Sequence, residues 1–181
     1  MANATSPPVA SPRGGETFRS LRGRNFRLFY VGMLVSQAGT WMQRVAVVWV
    51  VLRLTDSGVA LGLVSAAQFL PVLLLGIWGG VLADRVDRHR FMIATQIALT
   101  LVAAGFSALS VLHRLGLGPI AVLCVAYGVF TALDNPVRRA LTGDLVPPGD
   151  VANAVSLVSA LITGTRIIGP AMAGALITSV G

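Results

Sequence analysis

The side chains that could do chemistry are concentrated where an apolar run ends. Residues 71–79 carry no charge, whereas the next eleven residues include six ionisable side chains. These are Asp84, Arg85, Asp87, Arg88, His89 and Arg90. Carboxylates and guanidinium groups at such spacing can form ion pairs, and Asp84 can also stabilise the positive amino-terminal end of a nearby helix. The chemistry that this cluster offers is electrostatic contact between helices.

The sequence contains no recognisable catalytic or metal site. His89 and His113 are separated by a long apolar run, and no serine lies in a Gly-x-Ser-x-Gly context. A Gly-Lys-Ser/Thr phosphate-binding loop is also absent from the sequence. We therefore expect no enzyme activity, no metal and no cofactor.

The composition is that of a membrane protein. Hydrophobic residues make up 55% of the chain and charged residues 12%, with a mean hydropathy of +0.78, whereas about a quarter of a soluble domain is charged. The fourteen basic residues are all arginine and give a net charge of +7. Because they form short clusters between apolar runs, with no aromatic stacking platform, they indicate membrane topology and not nucleic-acid binding.

The apolar runs predict five transmembrane helices in an all-α bundle. We place them at about 26–52, 58–82, 91–112, 119–135 and 151–180, each long enough to cross a bilayer. Residues 1–18 are polar and rich in proline, which predicts a disordered cytoplasmic tail. Ser57 is expected to cap the second helix, and residues 135–150 are expected to form a partly helical connection.

The arginines predict the orientation. Ten of them fall on one side of the predicted membrane: Arg13, Arg19, Arg22, Arg24, Arg27, Arg85, Arg88, Arg90, Arg138 and Arg139. Only Arg53 and Arg114 fall in the opposite loops. By the positive-inside rule, the amino terminus is cytoplasmic and the chain is a multi-pass protein of the cell membrane.

Several polar side chains lie inside the predicted spans, where they are costly and rarely face lipid. Gln37, Thr40, Trp41 and Arg44 share one face of the first helix at helical spacing. We expect this face to line a substrate pathway, with Gln68, Tyr127 and Arg166 as further lining residues. Alternatively, Arg44 reaches outward to the membrane surface, and Arg166 makes a fixed hydrogen bond to Gln68, Thr163 or a backbone carbonyl.

Acidic residues are absent from the interior of the predicted spans. Asp134, at the expected cytoplasmic end of the fourth helix, is the nearest carboxylate. Its expected partner is Arg138, four residues later, or Arg85 or Arg88 across the loop.

The stretch GGVLADRVDRHR resembles the motif between the second and third helices of the major facilitator superfamily. The matching positions are Gly80, Leu82, Asp84, Arg85, Arg88 and Arg90. Asp87 replaces a glycine of that pattern, which puts the left-handed geometry of the turn in question. The resemblance implies that Asp84 helps to hold the cytoplasmic side closed, with Asp134, Arg138 and Arg139 as gate partners. The alternative is a positive-inside loop with incidental acids.

The stretch GTRIIGPAMAGAL is similar to the Gly-Pro motif of the fifth helix in antiporters and exporters of that superfamily. Gly169, Pro170 and Gly174 match it, and their roles there would be helix bending and close packing. The alternative is an ordinary packing face of small residues. The wider pattern, from about residue 18 to 181, looks most like the bacterial branch of enterobactin-type siderophore exporters and macrolide-efflux proteins.

The resemblance implies a secondary transporter built from 3+3 inverted repeats. Five helices would be an incomplete amino-terminal half, so the expected partners are the lipid bilayer, a small-molecule substrate and a missing carboxy-terminal half. The expected function is export of small amphipathic molecules, such as siderophores or drugs, by alternating access. An importer of the same fold and a non-transporting membrane scaffold are the alternatives, and the sequence does not indicate an oligomeric state.

Overall fold

The structure is a computed structural model that describes residues 18–83 and 85–180. The side chains of Leu82, Ala83 and Val180 also lie outside this description. The expected disordered tail therefore falls almost entirely outside the described residues, as does Asp84, the central acid of the predicted gate motif.

The described residues form an all-helical bundle, which confirms the predicted fold class. A short 3-10 helix, Arg19–Arg22, precedes α1 (Arg24–Thr55) and α2 (Gly58–Ala83), and α3 (Arg88–Val111) follows. The chain continues through α4 (Leu117–Asp144) and a 3-10 turn (Pro148–Asp150) into α5 (Val151–Val180). Asp56 ends α1 in a left-handed conformation, and the Ser57 hydroxyl accepts a hydrogen bond from the Ala60 N–H, as expected for a cap.

Four of the five long helices are long and apolar enough to cross a membrane, namely the segments Gly58–Val81, Arg88–Val111, Leu117–Asp144 and Pro148–Ser179. At 32 residues α1 has the length, but its middle carries Gln37, Gln43 and Arg44. These side chains lower its hydropathy below that of the other four. The predicted number of helices therefore holds, whereas apolarity alone identifies four spans.

Helix α4 is longer than the sequence predicts. The expected end at residue 135 is wrong, because the helix continues through Pro136 to Asp144. Asn135 and Pro136 are strong helix-ending signals, but Val137, Leu141 and Thr142 beyond them are buried, and this burial keeps the segment helical. Asp134 consequently lies ten residues before the end of the helix instead of at its edge.

Close approach between α2 and α4 depends on two glycines. A Cβ on Gly128 would lie 2.3 Å from the carbonyl oxygen of Gln68, and one on Gly79 would lie 2.7 Å from that of Ala132. Pro136 has no N–H to offer the Ala132 carbonyl four residues earlier, and Gly79 leaves room for that carbonyl. These contacts make α2 and α4 the most intimately packed pair, and α3 packs against the same α4.

Helices α1 and α5 form the other extensive pair. Phe26 is fully buried against Ala154 and Leu157 near the amino-terminal ends of both helices, and the Ser20 hydroxyl donates to Asn153 over 2.8 Å. In a 3+3 repeat, where α1 to α3 correspond to α4 to α6, the pairs α2/α4 and α5/α1 are equivalent. The observed pairing has this reciprocal pattern. A smaller cluster of Val51, Val64, Ile120 and Cys124 joins α1, α2 and α4 at their other ends.

Candidate functional site

The most elaborate polar site surrounds Asp134, which is 3% exposed. One carboxylate oxygen accepts hydrogen bonds from the Thr95 hydroxyl (2.8 Å) and the Gln96 amide (3.0 Å) of α3. The other accepts from Nε and a terminal nitrogen of Arg138, over 2.9 and 2.7 Å. The Arg138 side chain is itself only 13% exposed. A buried carboxylate is therefore fully bonded between α3 and α4, through the ion pair that its spacing from Arg138 favours.

The network extends to α1. The Ser36 hydroxyl donates to the amide oxygen of Gln96 over 3.4 Å, so α1, α3 and α4 are joined through the neighbourhood of Asp134. The interpretation that no carboxylate lies inside a span was wrong, because it relied on the early end assigned to α4. Asp134 is buried within a helix that is apolar enough to cross the membrane.

Asp87, in the connection between α2 and α3, does not adopt the left-handed conformation that the family motif suggests for its position. Asp87 has φ −62° and ψ 105°, and its carboxylate accepts a hydrogen bond from the Arg90 N–H over 3.0 Å. It therefore acts as the N-cap of α3, a role that aspartate fills better than glycine. The Arg90 N–H is the main cause that holds the pKa of Asp87 below its ordinary value of 3.8.

The arginines of this connection have different surroundings. Arg88 donates to Asp144, at the end of α4, over 2.8 Å. The sequence instead indicates Asp134 as a possible partner of Arg88. Arg90 is largely exposed and approaches Asp87 at 3.7 Å, and Arg85 is exposed. Of the motif arginines, Arg88 thus connects the start of α3 to the carboxy-terminal end of α4.

The two motif glycines differ in their packing. Gly79 is buried against Ala132 and Pro136, whereas a Cβ on Gly80 would have nothing within 4 Å. Leu82 lies in the last turn of α2, and Asp84 is outside the described residues. The close helix contact near the motif therefore depends on Gly79.

A polar cleft runs from Asp134 toward the middle of the bundle. A cavity of about 110 Å³ is lined by Gln37, Thr40, Tyr127, Thr131 and Asp134, with Arg138 and Arg139 at the same end. A second, of about 10 Å³, is lined by Thr40, Gln43, Arg44, Gln68 and Tyr127. A third, of about 250 Å³, shares Thr40, Gln43 and Tyr127 with the second. Five of the seven predicted pathway residues line these cavities, which share Thr40 and Tyr127; the five are Gln37, Thr40, Arg44, Gln68 and Tyr127.

Trp41 lies outside the cavities of the cleft and packs against α5. A Cβ on Gly169 of α5 would lie 2.4 Å from the Cβ of Trp41, so the glycine gives the indole room to pack between α1 and α5. The guanidinium carbon of Arg44 lies 4.7 Å from the centre of the Trp41 ring, within cation–π range. Trp41 therefore packs on α5 on one side and contacts the Arg44 guanidinium group on the other, and its place in a substrate pathway stays a prediction.

The remaining predicted residues lie on α5. Arg166 is exposed, three residues before Gly169, and among the described residues no hydrogen bond to Gln68 or Thr163 is formed. Pro170 lies inside the helix, while a Cβ on Gly174 would have nothing within 4 Å. The Gly-Pro motif therefore makes its close contact through Gly169 and not through Gly174.

Sequence reasoning missed Ser36, Thr95, Gln96 and Asp144. A signal was present for Ser36, because Ser36, Thr40 and Gln43 recur at helical spacing on the face that lines the cleft. Thr95 and Gln96 have no such pattern, since nothing in α3 alone indicates which of its faces meets α4. Asp144 was assigned to a loop because α4 was expected to end earlier.

Comparison with known proteins places the chain among transporters. The model of a family described as transmembrane secretion effector matches residues 15–181. The staphyloferrin A transporter of Staphylococcus aureus is 30% identical over 154 residues, which cover 83% of this chain and 38% of the relative. Macrolide efflux protein A of Streptococcus pyogenes is 26% identical over 151 residues, covering 83% and 37%.

A third relative is the multidrug efflux pump Tap of Mycolicibacterium fortuitum, 24% identical over 160 residues that cover 85% of this chain and 39% of the pump. The chain thus spans less than two fifths of the length of these relatives. No solved structure gives a significant match to it.

Proposed function

The chain belongs to the transmembrane secretion effector family of the major facilitator superfamily, and on that basis we propose that it supplies helices one to five of a secondary exporter. The exporter moves small amphipathic molecules across the bacterial cell membrane by alternating access. Two of the named relatives are described as efflux proteins, for macrolides and for multiple drugs, which supports outward transport. The third is named for a siderophore, staphyloferrin A.

The observation that carries the proposal is the buried Asp134 network at one end of the polar cleft. Its bonds join α3 to α4 and, through Gln96 and Ser36, to α1. Hydrogen bonds to charged groups are worth about 1.5 to 3 kcal/mol each, so separating these helices at this level is costly. We assign the network to the cytoplasmic gate, with Asp134 and Arg138 as its centre.

The α2–α3 connection is coupled to the same gate through α4. Gly79 contacts the Ala132 carbonyl, two residues before Asp134, and Arg88 pairs with Asp144 at the end of α4. A movement of this connection therefore acts on the helix that carries Asp134. In this proposal the exposed Arg85 and Arg90 face the rest of the transporter, and Arg139 lies at the cytoplasmic mouth of the cleft. Asp84 is assigned to the gate from its place in the sequence motif.

The proposed orientation puts the amino terminus in the cytoplasm. The described arginines of the 3-10 helix, of the α2–α3 connection and of the end of α4 all lie at one end of the bundle, where Phe26 and the Asp144 pair also lie. Arg53 and Arg114 lie at the other end. This asymmetry supports a cytoplasmic amino terminus.

Transport by the complete reading frame in proteoliposomes tests the proposal. The probes are ethidium, Nile red and 1-anilinonaphthalene-8-sulfonate, which are amphipathic and respectively cationic, neutral and anionic. We expect gradient-dependent movement of at least one probe in the direction of export. Asp134→Asn should reduce the rate strongly. Asp56→Asn, at the opposite end of the bundle where asparagine tolerates the left-handed cap conformation of α1, should stay within about twofold of wild type.

Three results would contradict the proposal. The absence of gradient-dependent movement of all three probes would count against transport, and inward movement alone would favour an importer. Unchanged transport in Asp134→Asn would remove the proposed gate.

A further inference from the structure

The environment of Arg44 points to a charged ligand in the cleft. Its Nε atom is buried without a hydrogen-bond partner among the described residues. The guanidinium group lies over the Trp41 ring at 4.7 Å, and the cavity beside it is lined by the neutral polar side chains of Thr40, Gln43, Gln68 and Tyr127. A cation inside a membrane bundle is costly unless an anion or several acceptors compensate it.

The acidic side chains of the described residues are committed elsewhere. Asp134 pairs with Arg138, Asp144 with Arg88 and Asp150 with Arg19. Asp87 caps α3 in the connection at the cytoplasmic end, and Asp56 ends α1, twelve residues beyond Arg44. The described part of the chain therefore provides no carboxylate for Arg44.

A second buried polar atom without a hydrogen-bond partner lies along the same cleft. The Thr131 hydroxyl is the other buried side-chain atom without a partner in the described residues. It lines the 110 Å³ cavity, which shares Thr40 and Tyr127 with the cavity at Arg44. Arginine Nε is a donor only, and a threonine hydroxyl can also donate. A ligand that carries acceptor oxygens and negative charge would satisfy both atoms.

We propose that Arg44, on its Trp41 support, binds an oxyanion group of the transported solute, a carboxylate or a phosphoryl group. Thr131, Gln68 and Tyr127 supply neutral hydrogen-bond donors along the cleft. The proposal rests on the transporter function proposed above, and it narrows the substrate class to amphipathic solutes with an anionic end. Arg114 and Arg53 lie at the end of the bundle and have no part in this site.

Binding to the purified complete protein in detergent tests the site. The probes are 4-phenylbutyrate, 4-phenylbutyramide and 4-phenylbutylamine, which share one aromatic body and differ in charge. We expect 4-phenylbutyrate to raise the melting temperature in a saturable manner and the other two to have little effect. Arg44→Gln should weaken this apparent affinity about tenfold or more, as the loss of a charge-assisted contact requires.

The chain offers a matched control on the same helix. Arg53 lies over the Trp49 ring at 5.3 Å, an arrangement like that of Arg44 and Trp41, but Arg53 is exposed near the end of α1. Arg53→Gln should bind 4-phenylbutyrate like wild type. Should Arg44→Gln not fold, Arg44→Lys, which keeps the charge, should retain binding, and Thr131→Val should weaken it.

Failure of the site and failure of the transporter function give different results. If any probe is transported in proteoliposomes but 4-phenylbutyrate does not stabilise the protein, the anion site would be contradicted and the transporter function would still be supported. If 4-phenylbutyrate stabilises the wild type but not Arg44→Gln, and no probe is transported, the anion site would be supported and the exporter function contradicted. Equal stabilisation by all three phenyl compounds, or no difference between Arg44→Gln and wild type, would also overturn the site.

Discussion

Two charged side chains within the helices have opposite surroundings. The Asp134 carboxylate accepts four hydrogen bonds, two of them from Arg138. Arg44, by contrast, has a buried Nε without a partner among the described residues and rests on an aromatic ring. A satisfied buried charge holds a structure together, whereas an unsatisfied one is available to a ligand. This difference separates the proposed gate from the proposed binding site.

Replacing the buried carboxylate of Asp134 should lower the folding stability far more than replacing the exposed carboxylate of Asp144. Asp134→Asn leaves Arg138 buried without its counter-charge, and we expect a loss of about 3 kcal/mol of stability, the scale for breaking a buried ion pair. The exposed pair of Asp144 with Arg88 should contribute about 1 kcal/mol or less. Denaturation of the complete protein and of Asp134→Asn and Asp144→Asn measures this difference. Equal losses in the two variants would contradict the assignment of Asp134.

The helix cap at Asp87 predicts a specific pH dependence. Its pKa is lowered in the folded chain, mainly by the hydrogen bond from the Arg90 N–H. A carboxylate whose folded pKa is lowered stabilises the fold above its unfolded pKa, and this contribution is lost as the pH falls through the folded value. Asp87→Asn can still cap α3, so it should lack this acid-dependent loss while keeping the helix. A stability-against-pH curve with the same acid limb in both proteins would contradict this role.

At the scale of the helices, the sequence predicts the starts of elements better than their ends. Apolar runs bounded by arginine and glycine indicate all five long helices, and α5 occupies 151–180 as predicted. The end of α4 was misplaced because the Asn135-Pro136 signal is local, whereas the burial of Val137 and Leu141 depends on neighbouring helices. For the same reason, the contacts of Thr95 and Gln96 with Asp134 could not be predicted, because the rotation of α3 about its axis is set by its packing on α4.

The α2/α4 contact should tolerate no side chain at Gly128. A Cβ there would lie 2.3 Å from the Gln68 carbonyl oxygen, which is backbone and cannot move alone. We expect Gly128→Ala to destabilise the protein by about 1 to 3 kcal/mol, the usual range for overpacking. Gly76→Ala, on the open face of α2, should be neutral or slightly stabilising because alanine favours helix. Melting temperatures of the two variants measure this contrast, and a harmless Gly128→Ala would contradict the described packing.

The α1/α5 contact leads to a similar prediction for the glycines of the Gly-Pro motif. Gly169→Ala would place a Cβ 2.4 Å from that of Trp41, whereas Gly174→Ala would meet nothing within 4 Å. The first variant should therefore displace Trp41 and, with it, the support of Arg44. We expect Gly169→Ala to lower both the melting temperature and the affinity for 4-phenylbutyrate. Gly174→Ala should change neither, and a larger effect from Gly174→Ala would show that the motif acts differently.

At the scale of the whole bundle, two packed groups border the polar cleft. One contains α2, α3 and α4, and the other contains α1 and α5 with the 3-10 helix at Arg19–Arg22. The Ser36–Gln96 hydrogen bond and the apolar cluster around Val51 connect the groups at different levels. Under the alternating access proposed above, we expect these two groups to move against each other while each keeps its own packing.

Aqueous access to the cleft tests the central claim most directly. In the complete protein, with Cys124 and any further native cysteine replaced by alanine, a single cysteine is placed at Thr131, in the cleft, or at Leu101, on the exposed apolar face of α3. A membrane-impermeant methanethiosulfonate reagent is then applied to proteoliposomes during transport. We expect rapid reaction at Thr131→Cys with loss of transport, and slow reaction at Leu101→Cys. Reaction at Leu101→Cys that is as fast as at Thr131→Cys, or a cleft cysteine that never reacts, would contradict a solute pathway along α1 and α4.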